Sequence, residues 1–218
     1  MFNVIVFLIS FLGAALVFIE YPGLDIAFSS LFYDPQHGFY LNDNLAVKML
    51  HRGVPVMCGL TVLIAGFIGL RTFYNKRSFK LKYYNGLIYF TLVCLLGAGV
   101  IVHYGFKDSF HRARPNAIEQ FGGTQHFTPA FIISDQCHAN CSFVSGHAAA
   151  GYMFFALAFF YSGKQKLAAA LAAGALGSII GIGRVMEGGH FLSDVVFAGF
   201  IMYATAYALA KIMHPEKV

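Results

Sequence analysis

Six long blocks of apolar residues constrain this chain more than any other feature of its sequence. They run over residues 3 to 19, 54 to 70, 86 to 104, 143 to 161, 167 to 183 and 191 to 210. Each block is near the length that a helix needs to cross about 30 Å of hydrocarbon. Backbone polar groups in lipid must be satisfied within the segment, and the blocks lack the two-residue alternation of a barrel strand. We therefore predict a bundle of six transmembrane helices.

The composition excludes several other classes of protein. Hydrophobic residues make up 58% of the 218, whereas Lys, Arg, Asp and Glu together make up 11%, less than half of the share of about 25% in ordinary soluble domains. Sparse charge between long apolar blocks argues against a disordered chain, a collagen repeat and a basic nucleic-acid-binding domain. We predict an all-α polytopic membrane protein, one domain over residues 1–218, with membrane lipids and no nucleic acid as partners.

The distribution of Lys and Arg predicts the orientation in the membrane. Six spans leave both termini on one side, and the segments on that side carry nine of the fifteen basic residues: Arg71, Lys76, Arg77, Lys80, Lys82, Lys164, Lys166, Lys211 and Lys217. The opposite side carries the other six: Lys48, Arg52, Lys107, Arg112, Arg114 and Arg184. Because cytoplasmic loops are enriched in Lys and Arg, we expect both termini in the cytoplasm.

The first of three external polar clusters follows the third block. It reads Lys107-Asp-Ser-Phe-His-Arg-Ala-Arg114-Pro115. If the helix continues past Gly105, then Lys107, His111 and Arg114 fall on one face by their i, i+4, i+7 spacing. Two cations and a histidine would then share one patch. A basic segment beside the membrane is the alternative interpretation.

The second cluster, Ser142-Phe-Val-Ser145-Gly146-His147, opens the fourth block. Serine is a favoured N-cap, and the free N–H groups of a first helical turn can bind an anion. Gly146 would let a ligand approach the backbone closely. His147 is either a catalytic group or a buried histidine held by a hydrogen bond between helices.

The third cluster, Gly183-Arg184-Val-Met-Glu-Gly-Gly-His190-Phe-Leu-Ser-Asp194, joins the last two blocks. His190 and Asp194 are four residues apart at the start of a helical block, so they share a face. A carboxylate there can hold one ring nitrogen and leave the other free as a nucleophile or base. Gly188 and Gly189 would supply the turn that brings Arg184 back over His190.

These clusters together supply what phosphoryl transfer requires. Three cations and a helix N-terminus can hold phosphate oxygens, while two histidines can attack the phosphorus and protonate the leaving oxygen. The charge count places all three clusters on the external side of the membrane. This chemistry requires no metal and no cofactor.

The clusters resemble the type 2 phosphatidic acid phosphatase (PAP2) superfamily, whose motifs read K-x6-R-P, P-S-G-H and S-R-x5-H-x3-D. The order and spacing match, and the resemblance covers roughly residues 86 to 210, with the catalytic motifs within 107–194. Val144 replaces the family's proline and Gly183 its serine, and neither change removes a group that the chemistry requires.

The resemblance implies a role for each motif residue. His190 is the nucleophile that forms a phosphohistidine, Asp194 orients it, and His147 protonates the leaving group. The residues that bind the substrate phosphate are Lys107, Arg114, Ser145, Gly146 and Arg184. Asp108, His111, Arg112 and Asn116 lie outside the match and are interpreted as polar loop residues.

A narrower resemblance concerns the substrate. The loop over residues 116 to 142, with its flanking segments, is similar to the bacterial lipid A phosphatase branch of the superfamily, and favours the 4'-phosphate over the 1-phosphate. It implies a protein of a Gram-negative inner membrane, with the active site facing the periplasm. Undecaprenyl diphosphate and phosphatidylglycerol phosphate are the alternative substrates, and the oligomeric state is left open. A small transporter is the alternative outside the enzymes, although its polar groups should lie at the membrane midplane.

The cysteines divide between the two environments. Cys58 and Cys94 fall inside apolar blocks, as small core residues do. Cys137 and Cys141 lie in the external loop, where an oxidising compartment would favour a disulfide. A zinc site that adds His126 or His138 is the competing interpretation. In the fifth block, the G-x-x-x-G of Gly177 and Gly181 favours close helix packing within the chain.

Overall fold

The computed structural model describes residues 4–75 and 81–213 of the chain. Most of the described chain is helical, and a short β-hairpin follows the first two helices. Lys76, Arg77, Lys80 and Lys217, which were counted as cytoplasmic, lie outside the described residues.

The first two helices meet at a sharp bend. α1 spans Val4–Glu20 and α2 spans Gly23–Ser30, and their axes differ in direction by 83°. Pro22 lies at the bend and has no N–H to continue the hydrogen bonds of α1. α2 then packs against the last helix, α9, which spans Leu192–Met213.

A hairpin and a long helix follow. β1 (Tyr33–Asp34) and β2 (Gly38–Phe39) pair antiparallel, with Tyr33 opposite Phe39. α3 spans Leu45–Asn75 and contains Pro55. It begins well before residue 54, where the sequence predicted the second span to start, and therefore includes His51.

The third span changes its winding midway. α4 spans Leu81–Leu92 and continues as a π-helix over Val93–Lys107, followed by one turn, α5, over Asp108–Phe110. The wider π winding is rare beyond single turns and is often found at functional sites. Here it ends at Lys107, the first residue of the first polar cluster.

The external loop between α5 and the next helix is compact. It contains two 3₁₀ turns, Pro115–Ala117 and Glu119–Phe121, and a disulfide between Cys137 and Cys141. The disulfide interpretation of these cysteines is therefore confirmed. Because both sulfur atoms are used in this bond, neither is present as a thiolate ligand for the competing zinc site.

Four helices complete the chain: α6 over Gly146–Tyr152, α7 over Phe155–Ala158, α8 over Gly163–Met186, and α9. α8 packs closely on α6 and α9 through small residues. A Cβ added to Gly177 would lie 2.2 Å from Cδ1 of Tyr152, and one added to Gly181 would lie 2.2 Å from Cγ1 of Val195. The small-residue face of the fifth block is thus used within the chain, as predicted.

Apolar side chains occupy both the interior and the outer surface. The main buried cluster includes Phe143, Ala149 and Met153 near α6 and Phe197 and Met202 on α9. On α1 and α3, large aliphatic side chains face outward, and Leu63 for example is 69% exposed. A continuous apolar outer surface of this kind suits a lipid environment.

Within the described residues, four helices are long and apolar enough to cross a membrane: Leu45–Arg71, Gly86–Lys107, Gly163–Met186 and Leu192–Met213. The bent pair α1 and α2 would make a fifth span. The predicted block over 143–161 is divided between α6 and α7, so it does not form one continuous helix. A multi-pass, predominantly helical fold is confirmed, whereas the six-helix count remains a prediction.

Candidate active site

His190 lies in the short loop that joins α8 to α9. Its side chain is 1% exposed, and burial lowers its pKa to about 3, with Lys107 and Arg114 adding to the shift and Asp194 opposing it. The ring is therefore neutral at physiological pH. Neither ring nitrogen has a hydrogen-bond partner among the described residues, and it is Nδ1 that faces Asp194. A neutral imidazole with one free nitrogen has the properties of a nucleophile.

Asp194 lies one turn into α9 and is fully buried. Its Oδ2 is 3.4 Å from Nδ1 of His190, which is longer than an ordinary hydrogen bond, although such contacts often shorten when substrate binds. The same oxygen accepts hydrogen bonds from Ser142 Oγ at 2.5 Å and from the Phe191 N–H at 2.8 Å. Three donors therefore fix the carboxylate beside the ring, because Arg112 Nη1 also donates to Oδ1 at 2.7 Å.

His147 is the second residue of α6. Its ring meets that of His51 edge to face, with the two centroids 4.9 Å apart. Nε2 of His147 is buried without a hydrogen-bond partner among the described residues. The ring is thus packed against α3 while Nε2 remains available for proton transfer.

Lys107 and Arg114 converge on one loop residue, Asn140. Lys107 Nζ donates to Asn140 Oδ1 at 2.9 Å, while Arg114 donates from Nε and Nη2 to the Asn140 carbonyl at 3.0 and 2.8 Å. Burial lowers the pKa of Arg114, but guanidinium groups remain charged in proteins. The structure therefore brings these two cations together, as the motif spacing predicts.

The route by which they converge differs from the predicted one. The sequence favours one helix that carries Lys107, His111 and Arg114 on a single face. That prediction is wrong: the helix ends at Phe110, and His111 adopts a left-handed conformation with φ of 49°. His111 instead directs Nδ1 to the Cys137 carbonyl at 2.9 Å. The cations meet because the loop folds back, not because they share a helical face.

Arg184, near the end of α8, is 5% exposed. Its Nη1 contacts Glu187 and lies 2.8 Å from Nδ1 of His51. Gly188 adopts a φ of +67°, and a Cβ on Gly189 would lie 2.4 Å from Arg184 Nη2. The two glycines thus form the predicted turn and leave room for the guanidinium.

Ser145 and Gly146 join the second motif to the other two. Ser145 caps α6 by accepting a hydrogen bond from the Ala148 N–H, and its own N–H donates to the Asp194 carbonyl at 3.1 Å. A Cβ added to Gly146 would lie 3.7 Å from Lys107 Cε. Residues of all three motifs therefore lie around one site, and α6 itself is only seven residues long.

Five residues of this region were not predicted from the sequence: Asp25, His51, Arg112, Asn140 and Glu187. Arg112, interpreted as a loop residue, is 1% exposed and forms ion pairs with Asp25 and Asp194. Glu187 is three residues after Arg184, which is a usable helical signal. Asp25 and His51 lie far from the motifs along the chain, and no local pattern identifies them.

An apolar groove leads away from the site between α3 and the π-helix. Its volume is about 560 Å³. Lys107 and His147 line one part of it, while Val62, Cys94 and Leu95 line another. Within the described residues, no group of three or more His, Cys, Asp or Glu side chains is arranged to hold a metal ion.

Comparisons with known proteins agree with this geometry. Residues 86–217 match the PAP2 superfamily. A lipid A 4'-phosphatase of Francisella tularensis subsp. novicida (strain U112) is 38% identical over 222 residues, which cover 99% of this chain and 98% of that protein. The chain belongs to the PAP2 superfamily. It is a membrane phosphoric monoester hydrolase of this type.

More distant relatives extend the likeness. A lipid A 4'-phosphatase of Rhizobium leguminosarum is 29% identical over 226 residues, which cover 92% of this chain and 93% of that protein. The crystal structure of the first transmembrane PAP2 type phosphatidylglycerolphosphate phosphatase from Bacillus subtilis has a TM-score of 0.56 and 19% sequence identity, and the match covers 100% of this chain and 98% of that one. The latter likeness concerns the fold alone.

Proposed function

We propose that this PAP2-type phosphatase removes the 4'-phosphate of lipid A. The observation that carries the substrate assignment is the near-full-length similarity to lipid A 4'-phosphatases, at 38% identity for the Francisella relative. The observation that carries the reaction is the neutral, buried His190 beside a fixed carboxylate, with three cations nearby. We further propose that residues 1–218 form one catalytic domain, because contacts to the motifs come from α2 and α3 as well.

His190 is the proposed nucleophile. Its Nε2 attacks phosphorus while the bond from phosphorus to the ester oxygen breaks, and His147 transfers a proton to that oxygen. The phosphorylated ring gains positive charge, which the Asp194 carboxylate stabilises. A water molecule then attacks phosphorus with His147 as the base, so that phosphate leaves and His190 returns to its neutral form.

The phosphate oxygens are held by the proposed clamp. Lys107, Arg114 and Arg184 provide charge, and Ser145 and the Gly146 backbone complete the set. Guanidinium groups bind phosphate oxygens through two parallel N–H donors, which orients as well as attracts the anion. To bind the phosphate, the Arg184 guanidinium must give up part of its contact with Glu187. These steps use side chains and backbone only, so we propose no cofactor.

The groove between α3 and the π-helix supports a lipid substrate. It begins beside Lys107 and His147 and continues along residues such as Val62 and Leu95, which belong to predicted spans. An acyl chain in this groove would stay in apolar surroundings while its phosphate reached the cations. A water-soluble phosphate ester has no acyl chain that could occupy that groove.

The proposed location is the inner membrane of a Gram-negative bacterium, with both termini in the cytoplasm and the active site facing the periplasm. The nine-to-six distribution of Lys and Arg supports this orientation. The disulfide in the external loop is consistent with an oxidising compartment. In this arrangement α6 and α7 together make the sixth crossing.

The function can be tested by phosphate release from purified full-length protein. Lipid A, undecaprenyl diphosphate, phosphatidylglycerol phosphate and phosphatidic acid should be compared, with mass spectrometry of the lipid A product to locate the lost phosphate. We expect lipid A to be preferred, the 4'-phosphate to be lost, and EDTA to leave the rate unchanged. His190→Ala should abolish turnover and the acid-labile phosphoenzyme. Rapid hydrolysis of another lipid with lipid A untouched would refute the substrate assignment.

A further inference from the structure

Arg112 lies at the centre of a buried ion network beneath His190. Its Nη1 donates to Asp194 Oδ1 at 2.7 Å and to Ser193 Oγ at 2.8 Å, and its Nε donates to the Thr128 carbonyl at 2.7 Å. The guanidinium carbon also lies 4.2 Å from the centre of the Phe191 ring. Every side of the guanidinium is therefore engaged, and the group is fixed.

Asp25, on α2, is the second acid of this network. Its Oδ2 accepts from Arg112 Nη2 at 2.8 Å and from Ser193 Oγ at 2.6 Å, and its Oδ1 accepts from the Ser193 N–H at 2.8 Å. The side chain is fully buried. It thus contacts both the arginine that holds Asp194 and the residue immediately before Asp194.

The charges of the network do not cancel. Asp25 accepts three hydrogen bonds and donates none, as an ionised carboxylate does. With Asp194 ionised as well, two acids face the single positive charge of Arg112, and the group carries one negative charge. A buried ion pair contributes little net stability compared with well-packed apolar groups. We therefore expect this network to act by fixing the Asp194 carboxylate and by placing negative charge beside His190.

We propose that Asp25 is a positioning residue of the phosphatase reaction, which engages one side of Arg112 so that Asp194 stays fixed and negatively charged towards His190. This inference rests on the proposed phosphohistidine mechanism. When Nε2 of His190 bonds to phosphorus and the ester bond breaks, the ring becomes cationic, and the single negative charge of the network balances it. Without Asp25, Arg112 alone would neutralise Asp194 and the ring charge would be unopposed.

The isosteric variant Asp25→Asn tests this role, because it removes the charge and keeps the shape. We expect kcat to fall roughly 10- to 100-fold, the range typical of groups that orient a residue of the active site, with KM within about twofold of wild type. Trapping of the phosphoenzyme by denaturation at alkaline pH, where phosphohistidine is stable, should fall in parallel. Asp34→Asn is the matched control, since Asp34 lies in the same N-terminal segment but is paired with exposed His37.

A double variant separates charge from shape. Asp25→Asn with Arg112→Gln restores a single negative charge while removing further contacts, so we expect kcat to recover above that of Asp25→Asn. A purely structural role predicts a lower kcat for the double variant. If Asp25→Asn does not fold, as judged by gel filtration and melting, Asp25→Glu replaces it, because glutamate keeps the negative charge. Its kcat must then stay above half of the wild-type kcat.

The outcomes distinguish this inference from the function on which it rests. An aryl phosphate serves as the common substrate, so the assay does not depend on the identity of the lipid. Wild-type protein that hydrolyses neither the aryl phosphate nor any lipid phosphate would overturn the mechanism and this inference together. Active wild-type protein with Asp25→Asn equal to Asp34→Asn would overturn the positioning role alone.

Discussion

At the scale of single residues, Asn140 occupies an unusual place in the proposed site. Both its side-chain oxygen and its carbonyl oxygen accept hydrogen bonds from clamp cations, Lys107 and Arg114. Neutral oxygens hold the two cations in place without cancelling their charge. A phosphate that reaches them gains charge-assisted hydrogen bonds that the amide cannot match.

Replacing Asn140 by Asp should weaken phosphate binding. The new carboxylate would pair with Lys107 and compete with the incoming anion, so we expect KM and the inhibition constant for vanadate to rise roughly tenfold, as 1.4 kcal/mol would give. Steady-state assays with and without vanadate measure both. Asn116→Asp, an exposed position of the same loop, is the control and should stay near wild type. Equal effects of the two variants would argue against a specific role for Asn140.

His190 makes a second prediction, which concerns stability against pH. The unfolded chain takes up a proton below the ordinary pKa of 6.5, whereas folded His190 stays neutral down to about 3. Stability is therefore lost as the pH falls through this window. Between about pH 7.5 and about pH 5, wild type should lose about 2 kcal/mol more than His190→Asn does.

Thermal unfolding in detergent, followed by the loss of helical circular dichroism, can measure this difference. His138→Asn, which replaces an exposed loop histidine, is the control and should follow wild type. Parallel pH curves for wild type and His190→Asn would show that His190 titrates alike in the folded and unfolded states.

The motif residues could be predicted because their spacing along the chain carries the chemistry. His190 and Asp194 are four apart on a helix, and the geometry of a helical turn brings them together. Arg112 could not be assigned in this way, because its partners Asp25 and Asp194 lie 87 and 82 residues away. A buried ion pair between distant segments leaves no local pattern, and an arginine in a polar loop resembles a solvated one.

At the scale of helices, the short broken pair α6 and α7 depends on its contact with α8. Gly151 of α6 faces Gly177 of α8 so closely that a Cβ added to Gly151 would lie 2.6 Å from the Gly177 Cα. Close backbone approach of this kind holds helices together in membranes. The sequence predicted the small-residue face of α8, since small residues four apart form such a face. It did not predict the break between α6 and α7, because the apolar run continues through it.

Gly177→Ala should therefore destabilise the protein. The added methyl would meet the Tyr152 ring at 2.2 Å, and overpacking of this kind typically costs about 1–3 kcal/mol. Gly174→Ala is the matched control on the same helix, because its methyl would meet only Phe155 Cζ, at 3.9 Å. There the better helix propensity of alanine should leave stability unchanged or raise it by up to about 1 kcal/mol. Thermal melting of both variants tests this prediction. Equal melting temperatures would mean that α6 and α8 can separate at a low cost in free energy.

At the scale of the whole molecule, the arrangement of spans decides whether the three motifs face one compartment. Four helices and the bent α1–α2 pair are candidates for crossing the membrane within the described chain. An even number of crossings is required to place both termini in the cytoplasm. The segment of α6 and α7 is the additional crossing that the proposed orientation requires.

Reporter insertions can test this orientation. We expect a reporter after Val218 and one at Gly163, where α8 begins, to be cytoplasmic, and one near Gly122 to be periplasmic, as the Lys and Arg distribution predicts. Paired alkaline phosphatase and green fluorescent protein fusions measure the side of each. A periplasmic reporter at Gly163 would show that α6 and α7 do not cross, and would remove the sixth span.

The ion network around Arg112 can form only late in the synthesis of the chain. Asp25 is made early, but Arg112 follows 87 residues later and Ser193 follows 168 residues later. A nascent chain therefore carries an acid whose partners do not yet exist, and the network closes only when α9 enters the bundle. Nearly the whole chain must therefore be synthesised before His190, the proposed nucleophile, gains its surroundings. On the proposed mechanism, a product that terminates before α9 lacks Asp194 and should be inactive.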